Sequence, residues 1–478
     1  MPRPSHRPMS RREFIARSAL AGTAALSAGP LLAQEADPGA RRPNVLFLLT
    51  DDQRWDAMGC MGHPILKTPN MDRLAKEGRL FENAFVTTPI CAASRASIFL
   101  GQYERKHDFT FGKKKIVSWP AWQQSYPVLL RQAGYHTGFI GKFGIKVDWK
   151  EHGGPKSTFD FWKPGGGRYF PKKENPGGEK RHLTQIMGEH AVEFLRGGAK
   201  DKPFCLSVSF KAPHCQDGDP RQFLYDPAYK DLFKDQTMPR AETAEAAHFE
   251  ALPTFLQESL GRKRWGFRFS TPEQYQEMVK GYYRLVTGVD VVVGRILKEL
   301  DKQGLADNTV IVYAADNGFF LGEHGMAGKW LMYEESIRVP LILYDPRAPK
   351  TDAGKRIPQI ALNVDIAPTL LQLAGLPVPK TVQGRSLVPL LQGKDIPWRN
   401  DFLCEHLWNV KMIPQSEAIR AGRWKYVRYF SQNPVYEQLF DLQNDPLEET
   451  NLATDKAHAA TLDKMRARCD EVIRRWRQ

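Results

Sequence analysis

Four continuous apolar runs in this sequence each end in polar residues of catalytic type. Residues 44–50 lead into Asp51-Asp52, residues 137–141 into Lys142, residues 204–210 into Lys211-Ala212-Pro213-His214, and residues 309–314 into Ala315-Asp316-Asn317-Gly318. Asp51, Asp52, Asp316 and the amide oxygen of Asn317 form an all-oxygen set with a charge of −3. Such a set suits a hard dication, Ca²⁺ with Mg²⁺ as the alternative, and lacks the nitrogen and sulfur that zinc prefers. Taken singly, Asp-Asn-Gly is a turn former and Asp51 or Asp52 a helix cap. Four coincident strand ends favour one shared site. A further chemical group lies at Cys91, which opens an apparent helix with Ser94 and Arg95 one turn on. Helix starts beside a cation are places where reactive thiols occur. On residue types alone Cys91 is a candidate activated thiol, with an inert buried cysteine as the competing reading.

These residues need a scaffold that brings strand ends together. Continuous rather than alternating apolarity marks strands buried on both faces, as in a parallel sheet covered by helices. Residues 341–344 supply a fifth such run, and helical periodicity appears at 125–133 and over the long stretch 272–300. The alternation predicts an α/β fold with a mostly parallel sheet. Ligands of such sheets bind outside the carboxyl ends of the strands. That is the edge to which the four runs deliver carboxylates, an amide, a lysine and a histidine.

From Pro377 the character changes. Short aromatic runs at 423–427 and 438–442 read as antiparallel strands, and a basic amphipathic helix over about 458–475 closes the chain. The expected organisation is a catalytic α/β domain over 43–376 and a smaller C-terminal α+β subdomain over 377–478. Residues 215–272 are charged and irregular, the mark of an insertion near a binding surface.

The 478 residues are 42% hydrophobic and 26% charged, which excludes a disordered or fibrous chain. A formal charge of +14 points to a solvated basic surface or an anionic partner. No basic run is interleaved with aromatics in the manner of a nucleic-acid groove, so a nucleic-acid partner is not expected. The six cysteines show no zinc-like spacing, and their pairing cannot be assigned from spacing.

Residues 1–34 read as an address. Ser10-Arg11-Arg12-Glu13-Phe14-Ile15 is a twin-arginine pattern, followed by an Ala-rich apolar stretch that reaches Ala33 and is short for a membrane span. Export to the periplasm or cell exterior without a stable membrane anchor is the expectation. This segment has a net charge of +4, so the remainder carries +10.

Cys91-Ala92-Ala93-Ser94-Arg95 resembles the Cys-x-Pro/Ala-Ser-Arg signature of type I, formylglycine-dependent sulfatases of the alkaline phosphatase superfamily. The resemblance covers most of residues 43–452. It includes Thr68–Ala75 in the form Thr-Pro-Asn-Met-Asp-Arg-Leu-Ala, Gly134-Tyr135-His136-Thr137-Gly138, Gly322-Glu323-His324-Gly325 and Leu439-Phe440-Asp441-Leu442. It implies that Cys91 is converted to formylglycine by a maturation enzyme and that Arg95 steadies it. It implies also that Asp51, Asp52, Asp316 and Asn317, with the residue at position 91, hold the metal. Lys142 and Lys329 would neutralise sulfate oxygens, and His214 would protonate the leaving alcohol. One departure stands out. The family often reads Gly-Lys-Trp-His-Leu-Gly where this chain reads Gly141-Lys142-Phe143-Gly144-Ile145-Lys146. The histidine that would deprotonate the hydrate is absent; either another group replaces it, with His107, His152 and His324 as candidates that read first as substrate contacts or surface residues, or the step relies on the acidity of a metal-bound hydroxyl.

The expected function is hydrolysis of a sulfate monoester on a sulfated carbohydrate. Trp119, Trp122, Trp149, Trp162 and Tyr169 cluster in one stretch that could stack on sugar faces or could be packing residues. The alternatives are a phosphate or phosphonate ester hydrolase of the same superfamily, or a sulfated-glycan binding protein without turnover, the latter motivated by Gly144.

Overall fold

The computed structural model describes residues 41–477, apart from 112–114, 179 and 199–200. The twin-arginine segment at 1–34 lies outside the described residues. The large sheet has eight strands: β1 (Asn44–Asp51), β2 (Arg79–Phe81), β3 (His136–Gly141), β4 (Phe161–Pro164), β5 (Phe204–Pro213), β6 (Thr309–Ala315), β7 (Leu341–Tyr344) and β8 (Lys355–Ile357). Their order is β8-β2-β7-β6-β1-β5-β3-β4, and only β7 runs against the others. The expected mostly parallel sheet is present.

Alternate residues of the central strands feed two different cores, which is why their apolarity is continuous. Val45, Phe47 and Leu49 of β1 pack with Val310, Val312 and Ala314 of β6 on one face. That face is covered by helix α1 (Cys91–Leu100), through Ile98 and Phe99, and by the C-terminal sheet. Leu46 and Leu48 pack with Ile311 and Tyr313 on the other face. There they meet helix α2 (Leu183–Gly197), through Met187 and Phe194, and the long helix α4 (Pro272–Lys302) that follows the shorter α3 (Leu260–Arg268). Thr271 caps α4 by accepting from the Gln274 amide at 3.2 Å, and Pro272 takes its first position.

The C-terminal sheet is antiparallel in the order β9 (Asp401–His406), β10 (Ser416–Ala421), β11 (Trp424–Tyr429), β12 (Tyr436–Asp441), and helix α5 (Ala459–Arg477) follows. It shares the first core through Phe402, Leu403 and Tyr426. A buried ion cluster ties it to the segment after Lys329. The Lys425 ammonium lies 2.9 Å from Glu334 and 2.8 Å from Glu448, and it donates to the Met332 carbonyl at 3.0 Å. The chain carrying Lys329 is therefore anchored from β11. All six cysteines are free thiols, and no helix among the described residues is long and apolar enough to cross a membrane.

Candidate active site

The strand ends that carry the chemistry lie side by side. Thr50 of β1 opposes Ala315 of β6, Asp51 opposes Pro213 of β5, and Gly141 of β3 opposes Ser209 of β5. Neighbouring side chains on an extended strand point to opposite faces, so Asp51 and Asp52 could not share a site without a change of backbone. Asp52 makes that change, adopting φ +67 in the left-handed region that Asp tolerates. Its amide then donates to Asp316 Oδ1 at 3.2 Å, and its carbonyl accepts from the Tyr282 hydroxyl at 2.8 Å.

Cys91 stands at the start of α1 and reaches this edge. Its Sγ and one carboxylate oxygen each from Asp51 and Asp316 lie within 4.8 Å of one another, all buried. Asp51, Asp52 and His214 form an overlapping group at the same spacing. Arg95, one turn along α1 and 1% exposed, joins the two sides of the site. Its Nε donates to Asp316 at 2.8 Å and its Nη2 to Asp51 at 3.2 Å, while Nη1 bonds Ser209 Oγ and the Lys142 carbonyl. Lys142 donates to Asp51 and Lys329 to Asp52. His214 Nε2 faces Asp52 Oδ2 at 3.6 Å, and its Nδ1 bonds the Cys215 carbonyl. The structure thus brings together all nine residues singled out in the sequence.

Charge is balanced here: three carboxylates meet three cations. Burial alone would raise the Asp51 carboxyl, but Lys142, His214, Lys329 and Arg95 together hold it far below the usual carboxylate range. Burial and the Asp51 charge push Asp316 up to about 6. Burial lowers both lysines, yet the carboxylates beside them more than offset it, so Lys142 and Lys329 stay ammonium. Burial outweighs Asp52 and Asp51 at His214, which falls to about 4.

The donor set fits a divalent metal. Asp51 Oδ1 and Asn317 Oδ1 are both buried, and neither has a hydrogen-bond partner among the described residues. Buried oxygens of this kind are costly unless something binds them. Asn317 turns its amide nitrogen away, onto Asp52 Oδ1 at 2.6 Å and the Gly318 carbonyl at 2.8 Å, so that the oxygen is the atom left over.

The profile of the family described as Sulfatase matches residues 43–376, and that of the N-sulphoglucosamine sulphohydrolase C-terminal region matches residues 322–475. The chain belongs to the sulfatase family. An N-acetylglucosamine-6-O-sulfatase of Bacteroides thetaiotaomicron is 30% identical, over 91% of this chain and 87% of the relative. Among solved structures, a protein in complex with its substrate D-glucosamine-2-N,6-O-disulfate has a TM-score of 0.75 at 27% identity, over 91% of this chain and 98% of that one. The phosphonate monoester hydrolase of Agrobacterium radiobacter shares the fold with a TM-score of 0.74 at 24% identity, over 91% and 96% of the two chains. The protein is thus a sulfatase.

Within this sulfatase the position of the family's histidine is closed. Gly144 has φ +75, and a Cβ there would come within 2.6 Å of Arg95 Cδ. The three histidines considered as substitutes are engaged elsewhere. His107 bonds Ser97 Oγ at 3.0 Å and is pushed down to about 3 by burial. His324 packs on the Tyr333 ring at 4.4 Å, and His152 stacks on Trp119 at 4.5 Å. Gly144→His is therefore expected to lower turnover by about 10²-fold, since any side chain there displaces Arg95 from two carboxylates. A gain in nitrophenyl sulfate hydrolysis by that variant would show that Arg95 can yield and that a histidine serves as base there.

The aromatic stretch is mostly packing. Trp122 is fully buried against Phe99, while Trp149 stacks on Phe143 and Trp162 on Phe159. Trp122 is closed to a sugar face, whereas Trp149 and Trp162 are half-buried and pack on each other and on Phe143. Tyr169 is also fully buried, but its hydroxyl donates to the His214 carbonyl at 2.6 Å, so it supports the histidine. Sequence reasoning missed Ser209, Tyr282 and that role of Tyr169. Ser209 alone had left a trace, as a polar residue inside an apolar strand run.

Proposed function

We propose that this sulfatase hydrolyses a sulfate monoester carried by a carbohydrate, with residue 91 as the nucleophile after maturation to formylglycine. The observation that carries the reading is the convergence of Cys91 with Asp51 and Asp316, ringed by Arg95, Lys142 and Lys329. Family membership implies a metal site and a formylglycine in general terms. We assign the metal as Ca²⁺, with Mg²⁺ the alternative, held by Asp51, Asp52, Asp316 and Asn317 with residue 91. A hard dication supplies Lewis-acid stabilisation of oxyanion charge, and a matured residue 91 supplies an oxygen nucleophile. The carbohydrate follows the names of the relatives. The twin-arginine pattern supports periplasmic or extracellular action, after a formylglycine-generating enzyme has acted on Cys91.

The chain's own residues then have separable work. The three carboxylates and three cations of the site sum to zero, so with a dication held among them the site would carry +2 and attract an anionic sulfate ester. Lys142 and Lys329 face the charge that grows on the sulfate oxygens, and both are held rigid by carboxylates. Arg95 fixes the geometry by spanning Asp51, Asp316 and Ser209. His214 is kept neutral by burial in the free enzyme; an anionic ester docked against Nε2 favours the imidazolium, which can protonate the leaving oxygen.

This division of labour is tested at His214. A sugar hydroxyl is a poor leaving group and needs a proton as the S–O bond breaks, whereas nitrophenolate departs without one. His214→Ala is expected to cost about 10²–10⁴-fold on a carbohydrate sulfate and far less on nitrophenyl sulfate. Equal losses on both substrates would mean that His214 binds sulfate rather than donating a proton. The phosphatase and phosphonatase alternatives are separated by the wild type alone, which should prefer aryl sulfate to aryl phosphate and phosphonate.

A further inference from the structure

A second constellation stands beside His214, built from the insertion at 215–272. Arg264 Nη2 lies 3.3 Å from Asp217 Oδ1, and Arg268 Nη2 reaches the same oxygen at 3.5 Å. The Cys215 thiol also donates to Oδ1, at 3.5 Å. All three contacts go to Oδ1, and the Asp217 side chain keeps 55% of its surface exposed, so Oδ2 remains for a ligand. Asp217 is three residues beyond His214, with ligand atoms of the two within 4.8 Å.

The other half of the constellation is fixed just as firmly. The Arg264 guanidinium stands 5.0 Å from the centroid of the Trp330 ring, and Trp330 follows Lys329 directly. Trp330 has φ +83, a left-handed conformation that is costly for a bulky residue and characteristic of ligand clamps. Its amide donates to the Pro89 carbonyl at 3.2 Å, two residues before Cys91. A Cβ at Gly328 would come within 2.8 Å of the indole, so only glycine lets the ring lie where it does. Below, Arg268 is fully buried and bonds Cys215 Sγ and Gln222 Oε1, each at 2.9 Å. Asp217 and Arg264 are thus positioned between the proposed leaving-group acid and the segment that carries Lys329.

We propose that Asp217 and Arg264 form the subsite for the leaving-group sugar, Asp217 Oδ2 accepting from one ring hydroxyl and Arg264 donating to the oxygen beside it. An acceptor and a planar donor fork held side by side match a vicinal pair of sugar oxygens. Asp217 meets the charge of Arg264 and of Arg268, and Arg268 is fully buried, so the opening itself presents one carboxylate oxygen and the Arg264 fork. Nitrophenolate carries no such hydroxyls and is blind to the subsite. The inference rests on the carbohydrate sulfatase reading above and adds to it the residues that read the sugar.

The test uses the full matured enzyme, a panel of O- and N-sulfated hexosamines, and the deoxy analogues of the best substrate. Asp217→Asn and Arg264→Lys should lower the ratio of kcat/KM on that hexosamine sulfate to kcat/KM on nitrophenyl sulfate by about 10- to 100-fold. Arg264→Lys keeps a cation over Trp330 but loses the fork, so it separates recognition from folding. Wild type should lose a similar factor on the analogue lacking the contacted hydroxyl, and the variants should lose nothing more on it. If the variants still discriminate against every deoxy analogue as the wild type does, the subsite assignment is wrong. If the wild type cleaves nitrophenyl sulfate and no hexosamine sulfate, the carbohydrate reading falls and this inference falls with it.

Discussion

Cys91→Ala is expected to fold, bind metal and lose essentially all sulfatase turnover, by about 10⁴-fold or more. The whole of α1 is buried, and alanine is both smaller than cysteine and a better helix former, so the helix that positions Arg95 should persist. What disappears is the one group that stands against Asp51 and Asp316 while three cations surround it. Neither Ser94 nor Ser97 can substitute, because Ser94 Oγ is occupied by Asn363 at 2.9 Å and Ser97 by His107 at 3.0 Å. Nitrophenyl sulfate turnover reads the loss, and a melting curve reports whether the fold survived. Mass spectrometry of the peptide carrying residue 91 supplies the chemical half: the matured wild type should be lighter than the unmodified thiol by about 18 Da, as the aldehyde oxygen replaces sulfur and two hydrogens are lost in the oxidation. Near-native activity in Cys91→Ala would falsify the assignment of the nucleophile, whatever the mass spectrum shows.

The catalytic edge was legible in the sequence because buried parallel strands announce themselves. A strand covered on both faces must be apolar at every position, so the place where Val45–Leu49 or Val310–Ala314 gives way to Asp is also the place where the sheet ends. The short strands β2, β4 and β8 gave no such signal, since strands of three or four residues carry too little periodicity. Strands β9 and β10 escaped for a related reason: they mix the buried Glu405, His406 and Glu417 with apolar residues, and the two glutamates are paired across the fold by Arg105, some 300 residues away in the chain. The site's inner supports were hidden too. That Tyr169 holds His214, or that Asp52 bends back through a left-handed φ, depends on contacts between segments dozens of residues apart. The aromatic stretch left two readings open. A run of tryptophans has the composition of a sugar platform, but only tertiary packing decides whether rings face solvent or each other, and here Phe99, Phe143 and Phe159 claim them.

Metal removal provides the second large effect, and it can be told apart from the loss of any single charge. Chelation is expected to abolish turnover, and Ca²⁺ or Mg²⁺ to restore it. Lys142 and Lys329 pair with Asp51 and Asp52, so a dication competes with two ammonium groups for these carboxylates. The lysine and carboxylate variants should therefore move in opposite directions. Asp316→Ala deletes one of three carboxylates opposing a divalent charge and should raise the concentration of Ca²⁺ needed for half-maximal thermal stabilisation. Lys142→Ala and Lys329→Ala should bind Ca²⁺ at least as tightly as the wild type, because a competitor is gone. They should nevertheless lose turnover by about 10²–10³-fold, the usual loss when a fixed donor facing transition-state charge is removed. Ligand-induced stabilisation grows as the logarithm of occupancy, reaching about 2.7 kcal/mol at a hundredfold excess over Kd, so melting shifts across a Ca²⁺ titration resolve the two classes without reference to activity. Full activity in excess chelator, with no metal found by elemental analysis, would remove the metal from the mechanism. Parallel loss of Ca²⁺ affinity in the lysine and aspartate variants would show that the lysines organise the metal site and do not face the substrate.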